Sequence, residues 1–584
     1  MSAAEYPERA LIFDGGHMKE FKRPIACVAL LLGSTSSMAY AQSDTIPEPP
    51  VRSPTDEQDV HLSTGGVQVT DPGITIGPAG SGLTHVRHWM NNGWRHGFFL
   101  SVTTSSSAAR VSVGGRSSTF TYSGGNYVSD LADGSTLMLT SSLFIYTMAD
   151  GTVITFDPAL VVNDERYYGT VDAVGTLIET PDGERVSLTY KSDSYSRAGG
   201  SKVYVLRLQS VTSNAGYQLK YEYATNTASQ TAANDWYRIT RVIGINNAVD
   251  YCDPSADACA NLTQSWPGIT YAETAFGTDK FETVTDSLNR QRRYRTDSAG
   301  RLTAIKRPGA NADTSLFVYG GDGRVSSATR EGHTRSYGWS LSGNELTSAS
   351  NDSLGRQRTV KSDIVKQAVT YDARGAMATT YTIDGNGRTT EVIAPEGNKV
   401  QVTYDSRGNV TQRRAIAKNG SGLPDVVVSW GFPSNCADPK TCNKPTSFTD
   451  ARGQVTNYTY DATNGGVSSV LLPAPAGSGP RPETRYTYLP QYAYYKDGSG
   501  NIVPAASPIY KQAQQKTCDN ADLSTCDGTL HETRLVTQYG MPGVANNLRP
   551  TSVSVSAGGG APTSSTTMAY DPVGNLLTIE GPLL

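Results

Sequence analysis

The chain has 584 residues, 37% of them hydrophobic and 18% charged, with 58 Gly, 30 Pro and 32 Tyr against only 12 Phe. Single cores stop growing near roughly 250–300 residues, so more than one packed unit is expected. A formal net charge of −4, with no Lys/Arg clustering beyond pairs such as Arg292-Arg293, removes the electrostatic basis for a nucleic-acid partner, because phosphate binding needs grouped cations.

From Met18 the chain reads MKEFKRPIACVALLLGSTSSMAYAQ. Lys19, Lys22 and Arg23 precede an apolar run at 25–32, and Ala39-Tyr40-Ala41 supplies a small-x-small cleavage signal. This predicts an export leader over residues 1–41, with translation starting at Met18 and the mature chain at Gln42. Cys27 lies inside the apolar run rather than behind it, which argues against lipid attachment. No later stretch approaches the ~20 apolar residues of a transmembrane helix. The expected location is outside the cytoplasm: secreted, periplasmic or on the surface of a bacterium.

Residues 42–60 (QSDTIPEPPVRSPTDEQDV) are Pro-rich and polar and read as a flexible linker. A strand-rich entry domain is expected over 61–280. Its clearest strand is 217–223, where Tyr217, Leu219, Tyr221 and Tyr223 share one face and Gln218, Lys220 and Glu222 the other. That alternation predicts a half-buried antiparallel strand. Further strands are expected at 185–190, 203–208 and 237–245, with turns at Asp133-Gly134, Asp150-Gly151 and Asp182-Gly183. No long amphipathic helix follows Ala41.

Six cysteines fall into three local pairs: Cys252 with Cys259, Cys436 with Cys442, and Cys518 with Cys526. Each pair brackets a turn bearing Asp, Pro or Asn, which can bring the two Cβ atoms together. Structural zinc is the rival, but it prefers two to four residues between paired cysteines. Local disulfides are therefore expected, consistent with export.

Past residue 280 a repeat becomes legible over 281–584. Its core is an aromatic or Thr, then Asp, two variable residues, Gly, and Arg or Asn. Copies place Asp297 with Gly300, Asp352 with Gly355, Tyr371-Asp372 with Gly375, Tyr404-Asp405 with Gly408, Asp450 with Gly453, and Tyr570-Asp571 with Gly574. Looser copies are TDSLNR at 285, YGGDGR at 319, IDGNGR at 383 and YDATNGG at 460. The Asp can accept backbone N–H groups of the turn it opens, and the Gly supplies a positive φ, so each copy predicts a hairpin turn. Asp297 follows Asp286 by 11 residues, whereas Asp405 follows Asp384 by 21. Those intervals fit one strand and two strands respectively, and predict a zigzag antiparallel ribbon.

These motifs resemble the YD repeats of bacterial RHS proteins, of related toxin-complex components and of the animal teneurins. The segment ITIGPAGSGLTHVRHWMNNGWRHGF at 74–98 is similar to the entry segment ahead of such repeats. The resemblance implies an all-β fold, a ribbon spiralling into a hollow shell, and a structural, non-enzymatic role around a downstream core or toxin polypeptide. Only the front part of such a shell is expected, because the chain stops about ten residues past the turn at Asp571 without a closing segment. The association-prone open edge this leaves is also an expectation.

No catalytic constellation is found. His61, His85, His88, His96, His333 and His531 are scattered, and His85 and His88, three apart on a strand, point to opposite faces. There is no G-x-S-x-G, H-E-x-x-H or G-x-x-x-x-G-K-[ST] motif. Calcium at Asp384-Gly385-Asn386-Gly387 lacks the bidentate Glu of the helical calcium loop. Trp89 and Trp94 suit core packing better than stacking on sugars. Asp571-Pro572-Val573-Gly574-Asn575 approaches the D-P-x-G-L motif of self-cleaving RHS cores, but Asn replaces Leu, so it reads as a repeat turn and self-proteolysis is not carried over. No cofactor or metal is expected. The rivals to a scaffold are a surface adhesin whose Tyr-rich faces bind glycans, and a hydrolase built on a β-solenoid.

Overall fold

The computed structural model describes residues 54–78, 80–90, 93–161, 171–197, 199–475, 477, 479–518, 526–558 and 563–582. The expected leader lies outside them. Period-two alternation governs the first strands. In β2 (Leu83–Met90), Leu83, His85, Arg87 and Trp89 are buried while the residues between them are not. It pairs on one side with β1 (Val69–Ile76) and on the other with β3 (Gly93–His96), giving a three-stranded sheet.

A second sheet begins at β4 (Leu100–Thr104). It runs through β5 (Ala108–Val113), β6 (Arg116–Ser123), β7 (Asn126–Ser129), β8 (Thr136–Leu139), β9 (Phe144–Thr147) and β10 (Val153–Asp157) to β11 (Ala173–Glu179). Each strand pairs antiparallel with the next, and β11 returns to β4 through Ala173↔Val102 and Val174↔Ser101. The ring so closed has no free edge. Val102, Val111, Phe120, Ile154 and Phe156 are buried in it.

From β11 the same sheet continues as an open ribbon. It passes through β12 (Arg185–Ser196), β13 (Lys202–Ser213), β14 (Tyr217–Tyr223), β15 (Ile239–Asn246), β16 (Gly268–Phe276), β17 (Asp279–Thr285), β18 (Gln291–Thr296) and β19 (Leu302–Lys306). Hairpin after hairpin then carries it to a last strand at Leu576–Glu580. The expected zigzag is thus the architecture. One hairpin, Tyr494–Lys496 with Ile502–Pro504, leaves the ribbon and forms a small sheet of its own.

The ribbon coils back on itself. Asn386 Nδ2 donates to Asp130 O, Asn443 Nδ2 to Ala149 O, Tyr510 N–H to Asp182 O, and Asn246 Nδ2 to both Asn546 Oδ1 and Val573 O. Turns of a later pass therefore rest on turns of an earlier one, at separations such as 256, 294 and 327 residues.

The main core runs from Val60 to Val360. Beyond it the strands carry few buried hydrophobic side chains, Trp430, Ile509, Val553 and Met568 among them. Strands such as Met377–Ile383 and Lys399–Tyr404 have none, as expected of a single-layer sheet.

Two expectations are corrected. Strand β14 is buried on both faces, since Gln218 and Lys220 are as inaccessible as Leu219 and Tyr221. The loop closed by Cys252 and Cys259 covers the polar face: Lys220 Nζ donates to the carbonyls of Asp253 and Pro254, and burial pulls its pKa down to about 8. Second, the stretch from Pro54 to Val60, expected as the end of a linker, is packed. Val60 is fully buried, and Asp56 accepts from the Tyr337 hydroxyl at 2.5 Å.

Candidate functional site

The repeated unit is a turn and a tyrosine. In the turn at Asp297, the Asp297 N–H donates to Arg301 O at 3.0 Å and the Gly300 N–H to Asp297 O at 2.9 Å. The carboxylate Oδ1 accepts from the N–H groups of Ala299 and Arg301, and Oδ2 takes Arg301 Nε at 2.8 Å. Gly300 has φ +75°, a region L side chains avoid. The same set recurs at Asp352 with Arg356 and at Asp384 with Arg388. At Asp405 and Asp571 the amides of Asn409 and Asn575 replace the guanidinium, each at 2.9 Å. Asp450 keeps its bonds to the N–H groups of Arg452 and Gln454. At Asp286 the glycine's place is taken by Asn289 at φ +58°, the left-handed region Asn tolerates.

The tyrosine ahead of the turn sits at a shift in strand register: Tyr319, Tyr404, Tyr460 and Tyr570 each mark a bulge. Its ring crosses the neighbouring strand, and its hydroxyl donates to that strand's backbone. Tyr319 reaches Leu302 O at 2.7 Å, Tyr404 Thr389 O at 2.8 Å, Tyr460 Pro445 O at 2.7 Å, and Tyr570 Pro550 O at 2.9 Å. The ring is covered by a cation from the preceding turn, Arg301 over Tyr319 at 4.8 Å and Arg388 over Tyr404 at 4.9 Å. One arginine thus clamps its own Asp and caps the next Tyr. Bulges increase local twist, which accounts for the ribbon's coiling.

Of the expected turns, the one at 371–376 is a correction. Asp372 lies within the strand Ala368–Arg374, and its carboxylate receives Arg358 Nε and Nη2 from the adjacent strand at 3.0 and 2.9 Å. Position 376 is Ala, with no donor to clamp the Asp. The reversal is made instead by the short link between Arg374 and Met377, with Gly375 at φ +61°. Tyr371 stays in the strand. Conversely, a turn of the full Asp type at Asp497 was missed: Ser499 and Asn501 donate to its Oδ1. D-G-S-G-N was the available signal, but Lys496 stands where the Tyr would be.

The three disulfides join the expected partners: Cys252–Cys259, Cys436–Cys442 and Cys518–Cys526. The first loop shields more than Lys220. Buried Arg207 stacks on Tyr223 and Trp236, donates to Thr225 O and Trp236 O, and pairs with Asp257 in that loop.

The second element is a plug, residues 54–78, 80–90 and 93–97, laid across the ribbon. Asp71 of β1, fully buried, takes Arg87 of β2 at 3.0 Å, Arg292 at 2.8 Å and the Tyr294 hydroxyl at 3.0 Å, both from β18. Arg87 also grips Glu282 of β17 with two nitrogens and lies over the rings of Trp94 and Tyr271. His85 shares hydrogen bonds with Tyr221 and Tyr271 at 3.2 and 2.9 Å. Burial holds both His85 and His96 neutral, with Arg87's charge adding to the effect, and pushes His96 down to about 4. Arg335 meets Asp56 and Glu57, and Ser63 meets Ser362. Strands β14, β16, β17 and β18, and the later strands that carry Arg335 and Ser362, thus hold the plug.

Trp89 is buried and meets Trp94 edge-to-face at 5.2 Å, a cross-strand core pair. The Asp384 carboxylate is filled by protein donors. Among the described residues no group of three or more acidic, His or Cys side chains could hold a metal, and no helix is long and apolar enough to cross a membrane.

A family model described as RHS Repeat matches residues 384–416. No curated protein matches. Among solved structures, the chain is similar to TcdB2-TccC3 at 12% identity, covering 88% of this chain and 31% of that one, with a TM-score of 0.28. It is similar to the same complex without its hypervariable C-terminal region at 9% identity, covering 76% and 27%, with a TM-score of 0.23. The Photorhabdus luminescens Tc holotoxin pore gives 9% identity, 80% and 27% coverage, and a TM-score of 0.23. The chain spans under a third of the length of those chains, and at such TM-scores they do not superpose as wholes. The matched segment contains the turns at Asp384 and Asp405 with Tyr404 between them: residues 384–416 are similar to an RHS repeat, and the same turn-and-tyrosine unit recurs along the ribbon.

Proposed function

We propose that this chain is an exported, non-enzymatic scaffold whose ribbon forms part of a wall around another polypeptide, in RHS proteins a C-terminal toxin. The observation that carries this reading is the division of the ribbon. Its front strands close on the plug, whereas its rear strands form a single layer with few buried hydrophobic side chains. A single-layer sheet held by turn clamps and Tyr hydroxyls needs no core of its own, and so can stand as a wall. The neighbouring structures named as Tc complexes are consistent with a toxin-associated role. In this reading residues 1–41 are the leader, the entry domain ends near 280, the repeats follow to 584, and the protein lies in the periplasm, at the cell surface or outside the cell.

The glycan-binding reading is not favoured, because Tyr hydroxyls that would meet sugars are committed to backbone carbonyls. The test has two arms. Expressed with its leader in a Gram-negative host, the chain should leave the cytoplasm and begin at or near Gln42; an exported chain retaining Met18 refutes the leader assignment. A tagged chain purified from its native host should bring down the polypeptide encoded directly downstream in a protease-protected form. Complete digestion of that polypeptide at the rate of the free form refutes the wall.

A further inference from the structure

We propose that the face of β17, β18 and β19 turned away from the plug carries a binding pocket for a phosphate-type oxyanion. Thr283, Arg293 and Lys306 stand directly opposite one another across these three strands and therefore share a face. Their neighbours Tyr294 and Ile305, on the other face, are buried in the core. The loop that follows β19, from Arg307 to Ala310, closes the row into a pocket of about 590 Å³, with Arg290 and Asn289 on the opposite rim. Four cationic side chains line it, Arg290, Arg293, Lys306 and Arg307, and none of the lining residues is acidic.

The protein leaves the central pair of charges poorly compensated. Like charges directly opposite in a sheet are destabilising. The rim cations are answered from outside the lining, Arg290 by Asp286 at 2.8 Å and Arg307 by Glu331 at 3.0 Å. Among the described residues Arg293 has only a long ion-pair contact, to Asp313 at 3.4 Å. Its guanidinium lies 4.4 Å over Phe281, which fixes its position. Lys306 makes no ion pair among the described residues. An oxyanion between Arg293 and Lys306 would separate the like charges, accept from the exposed part of the Arg293 guanidinium and use the Thr283 hydroxyl as a further donor. Guanidinium and ammonium together favour phosphate geometry, and the volume leaves room for what the phosphoryl group is attached to. The same chemistry is offered by free phosphates and by lipid headgroups.

Isothermal titration of the full chain at constant ionic strength, with inorganic phosphate and pyrophosphate against chloride, tests the pocket. Saturable binding is expected for pyrophosphate, weakened by about tenfold or more in R293Q/K306Q, as loss of two charge-assisted bonds implies. K306E should abolish binding while slowing hydrogen exchange in β18 and β19, since it converts the repulsive pair into an attractive one; this variant guards against a loss caused by misfolding. K399Q, which removes a half-buried cation on a distant strand, should bind as wild type does. Co-sedimentation with phosphatidylcholine vesicles, with and without phosphatidylglycerol, separates the sources. Binding to the anionic vesicles that is lost in K306E assigns a headgroup, and pyrophosphate binding without vesicle binding assigns a soluble phosphate. No saturable binding of either phosphate, or equal binding by wild type and R293Q/K306Q, overturns the proposal.

Discussion

Replacing Asp71 by Asn tests whether the plug is held by charge. Asp71 has no solvent access, and its carboxylate answers two arginines, Arg87 at 3.0 Å and Arg292 at 2.8 Å, while accepting the Tyr294 hydroxyl. Half-buried Glu282 would remain on Arg87 at 2.8 Å, whereas Arg292 would lose its carboxylate partner. Removing one partner of a buried pair costs roughly 3–5 kcal/mol, because the surviving charge stays desolvated. A chain of this size is not expected to unfold in one step, so global melting is a poor readout. Hydrogen exchange of peptides covering β1 and β2 reports the local opening directly. Roughly 3–5 kcal/mol corresponds to exchange faster by about two to three and a half orders of magnitude in D71N. The ring from β4 to β11 should be unaffected, and D71N/R292L should recover part of the loss by removing the stranded charge. Exchange in β1 and β2 that changes by less than about fivefold would refute a plug held by this network.

Further expectations follow from the same geometry. Serine at both Cys252 and Cys259, which close a loop of sequence separation 7, should cost about 2.4 kcal/mol by loop entropy, and exchange should rise in β13 and β14, whose buried Lys220 and Arg207 lose their cover. Tyr404→Phe removes the hydroxyl bond to Thr389 O and should cost about 1 kcal/mol, read as faster proteolysis around 389–404, with Tyr404→Ala costing more because Arg388 also loses its ring. Acid should loosen the plug: His85 and His96 are held neutral by burial, His96 down to about 4, whereas an unfolded imidazole titrates near 6.5. The unfolded state takes up protons that the folded state refuses, so this stability is complete above about pH 6.5 and is lost as pH falls toward 4, about 3 kcal/mol for His96 alone; exchange in β2 measured from pH 7 to 4.5 checks the sign, after correction for intrinsic rates. Asp352→Asn should weaken its turn, since the Arg356 N–H and guanidinium hold that carboxylate below its usual range; limited proteolysis between Asn351 and Gln357 reports it.

What was legible in the sequence was local. The turn at Asp297 is contained within five residues, so the spacing of Asp, Gly and Arg predicts it, and each cysteine pair closes within eight residues. What was not legible depends on partners far along the chain. The same Y-D-x-x-G pattern reads as a turn at Tyr371, yet Arg358 on the neighbouring strand claims Asp372, and nothing in the pentapeptide reveals that competitor. Lys220 alternates like a solvent-facing residue, and only the fold brings the carbonyls of Asp253 and Pro254 over it, 33 and 34 residues away. The plug is the extreme case, since Asp56 and Tyr337 are 281 residues apart and Ser63 and Ser362 are 299. The tyrosine lies between these limits. The motif marks where it stands, but the acceptor of its hydroxyl is set by the bulge that the tyrosine itself occupies. Local chemistry therefore specifies each hairpin, the Tyr lock converts hairpins into a twisted ribbon, and the plug's buried charges fix where the first coil of that ribbon closes.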